Sequence, residues 1–222
     1  MTVPSEKIEG PHQGQPVHSA GVPLEKAIAA MVMVHGRGAT AESILTLVPS
    51  LVVEGFAFLA PQASGNTWYP NSFLSPIPSN EPGITSGLTA IDEVISRIEH
   101  AGISREKIML LGFSQGACLS LEFAARHPAR YAGIAGLSGG LIGPDGTPRD
   151  YTGTFDGTPV FLGCSDIDFH IPAVRVSETA AVLRRMGAAV TMKLYPGMGH
   201  LVNEDEIAHV NAMMQGVAGR TG

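Results

Sequence analysis

The chain has 222 residues, 44% of them apolar and 15% charged, which suits one globular domain with a sizeable core and argues against disorder or a fibrous fold. A formal net charge of -6, with no run of Lys and Arg long enough to form a basic patch, argues against a nucleic-acid partner. Two cysteines, Cys118 and Cys164, are too few for a disulfide framework, and the longest apolar run, Ala27 to Val34, is too short to span a bilayer.

Residues 1–16 show no apolar period and are expected to form a loose N-terminal arm before a domain over 17–222. They lack the basic start and apolar stretch of a secretory signal, so a cytoplasmic protein without stable membrane insertion is the expectation. Short apolar runs then predict strands at Ile28–Val34, Phe56–Ala60, Lys107–Leu111, Tyr131–Leu137, Pro159–Gly163 and Val190–Tyr195. Several are almost continuous in Val, Ile, Leu, Met and Phe, as strands covered on both faces should be. Helical patterns fall between them, at about 41–53, 85–102, 115–127, 173–186 and 204–215. In the second of these, Leu88, Ile91, Ile95 and Ile98 share a face and Gly102 follows as a C-terminal cap. Strands alternating with helices imply an α/β fold, a mostly parallel sheet with helices on both faces, in a single domain. Residues 64–83 break the rhythm with Pro, Ser, Asn and Gly around Trp68, Tyr69 and Phe73. A long irregular loop of this kind is either a surface excursion or a wall of the substrate site, and aromatics costly to leave wet favour the wall.

The strongest local signal is Gly112-Phe113-Ser114-Gln115-Gly116, between the apolar run KIMLL and the helical pattern QGACLSLEFAARH. This is the context of a G-x-S-x-G nucleophile elbow, in which a sharp strand-to-helix turn exposes the serine at the positive end of a helix. The predicted architecture is therefore the α/β-hydrolase fold. A serine hydroxyl needs a positioned base, usually histidine, and in this fold the chain order is Ser, acid, His. That order disfavours His12, His18, His35 and His100. His127 sits at a helix end and His209 inside the last helix, whereas His200 lies in the loop PGMGH between strand and helix. His200 is thus the expected base. The acid should follow the strand Pro159–Gly163, where Asp166 and Asp168 compete; with His170 they could alternatively alternate as metal ligands, but nothing else in the sequence completes such a site. For the oxyanion, the turn Val34-His35-Gly36-Arg37-Gly38-Ala39 can supply the Arg37 amide beside that of Gln115. The Arg37 side chain reads equally as a contact for a substrate anion or as surface charge.

Taken together, MVHGRGAT, FLAPQAS, LLGFSQGACLSLEFA, GLSGG, DIDFHIP and YPGMGH make the chain resemble the phospholipase/carboxylesterase family, which includes acyl-protein thioesterases and small bacterial carboxylesterases. The resemblance spans roughly residues 31 to 215. It implies Ser114 as nucleophile, His200 as base, and the amides of Arg37 and Gln115 as oxyanion donors. It also implies Asp168 rather than Asp166 as the acid, with Ile171 and Pro172 in register. Phe169 and His170 depart from the Pro and apolar residue common in that pattern, and HGRGA replaces the HGLGD-type turn of the eukaryotic thioesterases.

The expected reaction is acyl transfer from a small-molecule ester or thioester through an acyl-enzyme, without metal or cofactor. Trp68, Tyr69 and Phe73 are the expected pocket residues. A thioesterase or lysophospholipase for long acyl chains is the alternative in the same class, and a non-catalytic hydrolase-fold binding protein the alternative in another. The sequence leaves a homodimer open.

Overall fold

The computed structural model of the chain describes residues 10–52 and 54–219. Its centre is a seven-stranded sheet of order β1-β3-β2-β4-β5-β6-β7. The strands are β1 (Val17–Gly21), β2 (Ala29–Val34), β3 (Phe56–Pro61), β4 (Ile108–Phe113), β5 (Gly133–Leu137), β6 (Pro159–Ser165) and β7 (Ala189–Tyr195). All neighbours pair in parallel except β1, which runs antiparallel to β3 from Val17 opposite Pro61 to Gly21 opposite Ala57.

The near-continuous apolar runs have the predicted cause, since successive side chains of one strand serve opposite cores. On β2, Ala30, Val32 and Val34 join one core and Ala29, Met31 and Met33 the other. The first core is closed by helices α2 (Gly83–His100), α3 (Gln115–Arg126) and α4 (Ala173–Arg185), through residues such as Ile91, Leu119 and Val176. The second is closed by α1 (Ala41–Leu45) and α5 (Glu204–Ala218), through Ile44, Val210 and Met214. Leu88, Ile91, Ile95 and Ile98 of α2 are all buried, and Gly102 takes φ 94 just past its end. No helix among the described residues is long and apolar enough to cross a membrane.

Three expectations change. Strand β1 was not expected, because VHSAG carries His18 and Ser19 and sits half-buried at the sheet edge, where burial leaves little apolar signature. The helix expected over 41–53 stops at Leu45, and a short 3-10 turn, Val48–Ser50, follows. Pro49 accounts for this, since it removes a donor and disfavours helical backbone in the residue before it. The N-terminal arm is the third. Its residues 1–9 lie outside the described residues, but 10–16 are docked rather than loose. The His12 N–H donates to Ser86 Oγ (2.9 Å), and its ring is held between the Trp68 carbonyl (2.8 Å) and the Ser64 N–H (3.1 Å). Attachment through polar bonds needs no hydrophobic stripe, so no period announces it.

Candidate active site

Ser114 sits between β4 and α3 with φ 55 and ψ -119, a backbone state that costs a non-glycine residue free energy and persists only where the surroundings impose it. The surroundings are backbone. A Cβ on Gly116 would stand 2.1 Å from the Val34 carbonyl oxygen, and one on Gly112 2.3 Å from that of Gly116. Both glycines are therefore required for the chain to cross itself, and the crossing forces the turn. The Ser114 N–H donates to Leu137 O (2.9 Å), which ties the elbow to β5.

His200 is delivered by the turn after β7, in which Gly197 and Gly199 take φ 66 and 77. That turn is fastened to the loop after β6: Gly197 N–H donates to Asp166 Oδ1 (2.8 Å) and Gly199 N–H to Ser165 Oγ (3.1 Å). Asp168, on the same loop, reaches His200 itself. Its Oδ2 lies 2.7 Å from His200 Nδ1, and His200 Nε2 lies 2.8 Å from Ser114 Oγ. The tautomer that satisfies both bonds has its proton on Nδ1 and a free lone pair on Nε2 facing the serine hydroxyl. Phe113 packs its ring 5.0 Å from the imidazole and His170 lies edge-on at 4.8 Å, so aromatic rings as well as hydrogen bonds hold the His200 side chain.

The two carboxylates have separate tasks. Asp166 is spent on the turn, while Asp168 accepts from His200 and, through Oδ1, from the N–H groups of His170 (2.9 Å) and Ile171 (3.1 Å). Burial alone would raise the pKa of Asp168; the bond from His200 and the two amide bonds outweigh it and hold the carboxyl below its ordinary range. Among the described residues no group of three His, Cys, Asp or Glu side chains is gathered closely enough to hold a metal ion.

Gln115 is the first residue of α3, where the N–H has no acceptor within the helix. Its side chain is pinned, accepting from Trp68 N–H (2.9 Å) and donating to Tyr69 O (2.8 Å). Arg37 occupies the turn after β2, with Gly38 N–H bonded to Asn66 O (2.7 Å) and its guanidinium donating to Pro70 O (2.8 Å) and Asn71 O (2.6 Å). Both residues line, with Ser114 and His200, a cavity of about 400 Å³. Ser114, His200, Arg37 and Gln115 thus line one opening, with Asp168 bonded to His200 behind it.

The expected pocket residues divide. Tyr69 and Phe73 line the cavity. Trp68 does not. It is fully buried in the core behind the site, with its indole N–H donating to His35 O (2.9 Å). Phe113, Cys118, His170 and Ile171, which the sequence did not mark as pocket residues, also line the cavity. Phe113 is the variable residue of the elbow motif, so the motif itself placed it. A consequence is measurable: Trp68→Ala is expected to cost about 3–5 kcal/mol of unfolding free energy in urea titrations, whereas Phe73→Ala should change the acyl chain-length profile. A Trp68 variant of native stability would place that side chain outside the core.

Beneath the His200 turn, α5 begins with a capping box, Glu206 N–H donating to Asn203 Oδ1 (2.9 Å) and Asn203 N–H to Glu206 Oε2 (2.9 Å). Glu206 is fully buried against Gly163, and its Oε1 finds no partner among the described residues. Burial, opposed by the Asn203 bond and assisted by Asp205, raises its pKa from 4.5 to about 7. The folded state therefore favours the protonated form. That preference supports stability in full below pH 4.5 and is lost as pH rises through about 7, a loss on the order of 3 kcal/mol. Burial lowers the pKa of His12 and His35 and pushes the other way, so the comparison must be with Glu206→Gln. The variant is expected to gain stability over the parent between pH 5 and pH 8 by denaturant titration; a difference flat with pH would show that Glu206 ionises freely.

A family model described as Phospholipase/Carboxylesterase matches residues 18–217. The solved structure of a phospholipase/carboxylesterase from Dyadobacter fermentans is 42% identical, with a TM-score of 0.88, covering 91% of this chain and 97% of that one. An acyl-protein thioesterase 1 from Gibberella zeae is 35% identical over 118 residues, 52% of this chain and 50% of its own length. One from Saccharomyces cerevisiae is 30% identical over 128 residues, covering 56% of each. The chain spans about half the length of these curated relatives.

Proposed function

The chain belongs to the phospholipase/carboxylesterase family, a family of hydrolases, and on that premise we propose that it cleaves carboxylic esters through an acyl-enzyme on Ser114. The observation that carries this reading is the unbroken line of bonds from Asp168 through His200 to Ser114, at 2.7 and 2.8 Å. His200 Nε2 takes the hydroxyl proton as Ser114 Oγ attacks the acyl carbon, and the N–H groups of Arg37 and Gln115 receive the oxyanion. Asp168 holds the ring in the required tautomer and offsets the charge of the imidazolium. His200 then protonates the departing alkoxide, and a water, deprotonated by the same ring, releases the acid and restores Ser114.

A fluorophosphonate probe tests this directly. It should label the folded protein stoichiometrically, with the adduct located on Ser114 by peptide mass spectrometry. A folded protein that resists the probe would favour a non-catalytic binding protein.

A second reading within the same chemistry is a thioester or ester of a long acyl chain. It is favoured by three large apolar side chains left in solvent beside the acid and the base, namely Ile167 (63% exposed), Phe169 (80%) and Leu201 (49%). A chain-length series of p-nitrophenyl esters separates the two, since each buried methylene adds about 0.8 kcal/mol of binding.

A further inference from the structure

We infer that the Arg37 guanidinium selects substrates carrying a carboxylate close to the ester, a refinement that rests on the esterase reading above.

Among the described residues no Asp or Glu lines the cavity, although the chain has 20 of them and a net charge of -6. Arg37, His170 and His200 line it instead. Asp168 lies behind His200 and is bonded to it, and the buried Glu122, which faces Tyr69 and Cys118, is paired with Arg126. Among the described residues the lining thus carries the Arg37 cation and no carboxylate, and an anionic substrate is complementary to it.

Arg37 differs from the other arginines whose partners are carboxylates. Arg105, Arg126, Arg149 and Arg175 each form an ion pair with an acidic side chain. Among the described residues Arg37 has no acidic partner; it donates one N–H to Pro70 O and one to Asn71 O, and it lies 5.9 Å from the centre of the Tyr69 ring. Two carbonyl bonds orient the group without neutralising it. One N–H on each terminal nitrogen and the Nε–H remain available, a planar fork that matches a carboxylate. Because the wall already fixes the side chain, little rotamer entropy is lost when the anion arrives. His170, from the acid loop, adds an imidazole to the same cavity.

Substrates matched in length test this on two sides of the bond. On the acyl side, p-nitrophenyl hydrogen adipate is compared with p-nitrophenyl hexanoate. On the leaving side, m-acetoxybenzoate is compared with its neutral N-methylamide. The readout is the ratio of kcat/KM, anionic over neutral, in the full chain and in Arg37→Gln and Arg37→Lys. In at least one pair the ratio should favour the anion and fall on the order of tenfold in Arg37→Gln, through KM, while Arg37→Lys retains most of it. The preference should also shrink as ionic strength rises, since Arg37 is exposed. Ratios that Arg37→Gln leaves within twofold in both pairs would overturn the inference and reduce Arg37 to a brace for residues 70–71. If the chain hydrolyses none of the four esters, the esterase reading fails separately. Calorimetric titration with adipate then decides the anion site, which stands if Arg37→Gln weakens binding on the order of tenfold and falls if it does not.

Discussion

Ser114→Ala is expected to lower kcat for ester hydrolysis on the order of 10⁴-fold or more, with the fold intact. The size follows from the absence of a substitute: among the described residues no other hydroxyl or thiol in the cavity is bonded to an imidazole or carboxylate. Cys118 lines the cavity, but burial raises its pKa to about 12, so it offers no thiolate near neutral pH. Stability should change little. Alanine meets the same φ 55 that serine tolerates, and the main loss is one bond to His200, worth about 1 kcal/mol. His200→Gln should cost about as much activity, and the double variant little more than either, because the two side chains act as a unit. A folded Ser114→Ala that keeps a tenth of the parent activity would remove the serine from the mechanism.

How much of this was legible in the sequence depends on how strongly each feature is imposed locally. Strands β2 to β6 were readable because both faces are buried, which leaves an apolar run that polar residues cannot interrupt. The elbow was readable because a Cβ at either of two positions, Gly112 or Gly116, would collide with backbone. His200 followed from order and its glycine-rich turn. What stayed hidden was decided at long range. Strand β1 is held by pairing with β3, and residues 10–16 by polar bonds to Ser64, Trp68 and Ser86, neither of which leaves a periodic trace. In the aromatic loop, composition could not say which ring turns inward. Trp68 does so because its N–H meets the His35 carbonyl, and Tyr69 and Phe73 are left to form the wall. Glu206 carries a visible capping pattern with Asn203, yet its burial against Gly163 is a tertiary fact.

Asp166 and Asp168 are where residue-level reasoning stopped, and their separation yields the second large prediction. Asp168→Asn is expected to lower kcat by roughly 10³- to 10⁴-fold, and Asp166→Asn by less than about tenfold. The geometry around Asp168 leaves the new amide no choice of orientation. Its Oδ1 position receives the N–H groups of His170 and Ile171, at 2.9 and 3.1 Å, and only an oxygen can accept them. The NH₂ group must then occupy the Oδ2 position, 2.7 Å from His200 Nδ1. There it donates, so Nδ1 becomes the acceptor and the ring proton moves to Nε2, opposite Ser114 Oγ. A base protonated on its working nitrogen cannot take the hydroxyl proton, and the imidazolium loses its carboxylate. At Asp166 the replacement keeps an oxygen for the Gly197 N–H, and the turn that carries His200 survives. The acid limb of stability should separate the two as well. The pKa of Asp168 is held below its ordinary value, so its contribution is present above about pH 4 and disappears as pH falls through the lowered pKa. Asp168→Asn should flatten that limb in acid denaturation. Steady-state kinetics on purified, folded variants decide the matter: if Asp166→Asn proves the more damaging, the acid of this site is Asp166, and the bond from Asp168 to His200 serves structure alone.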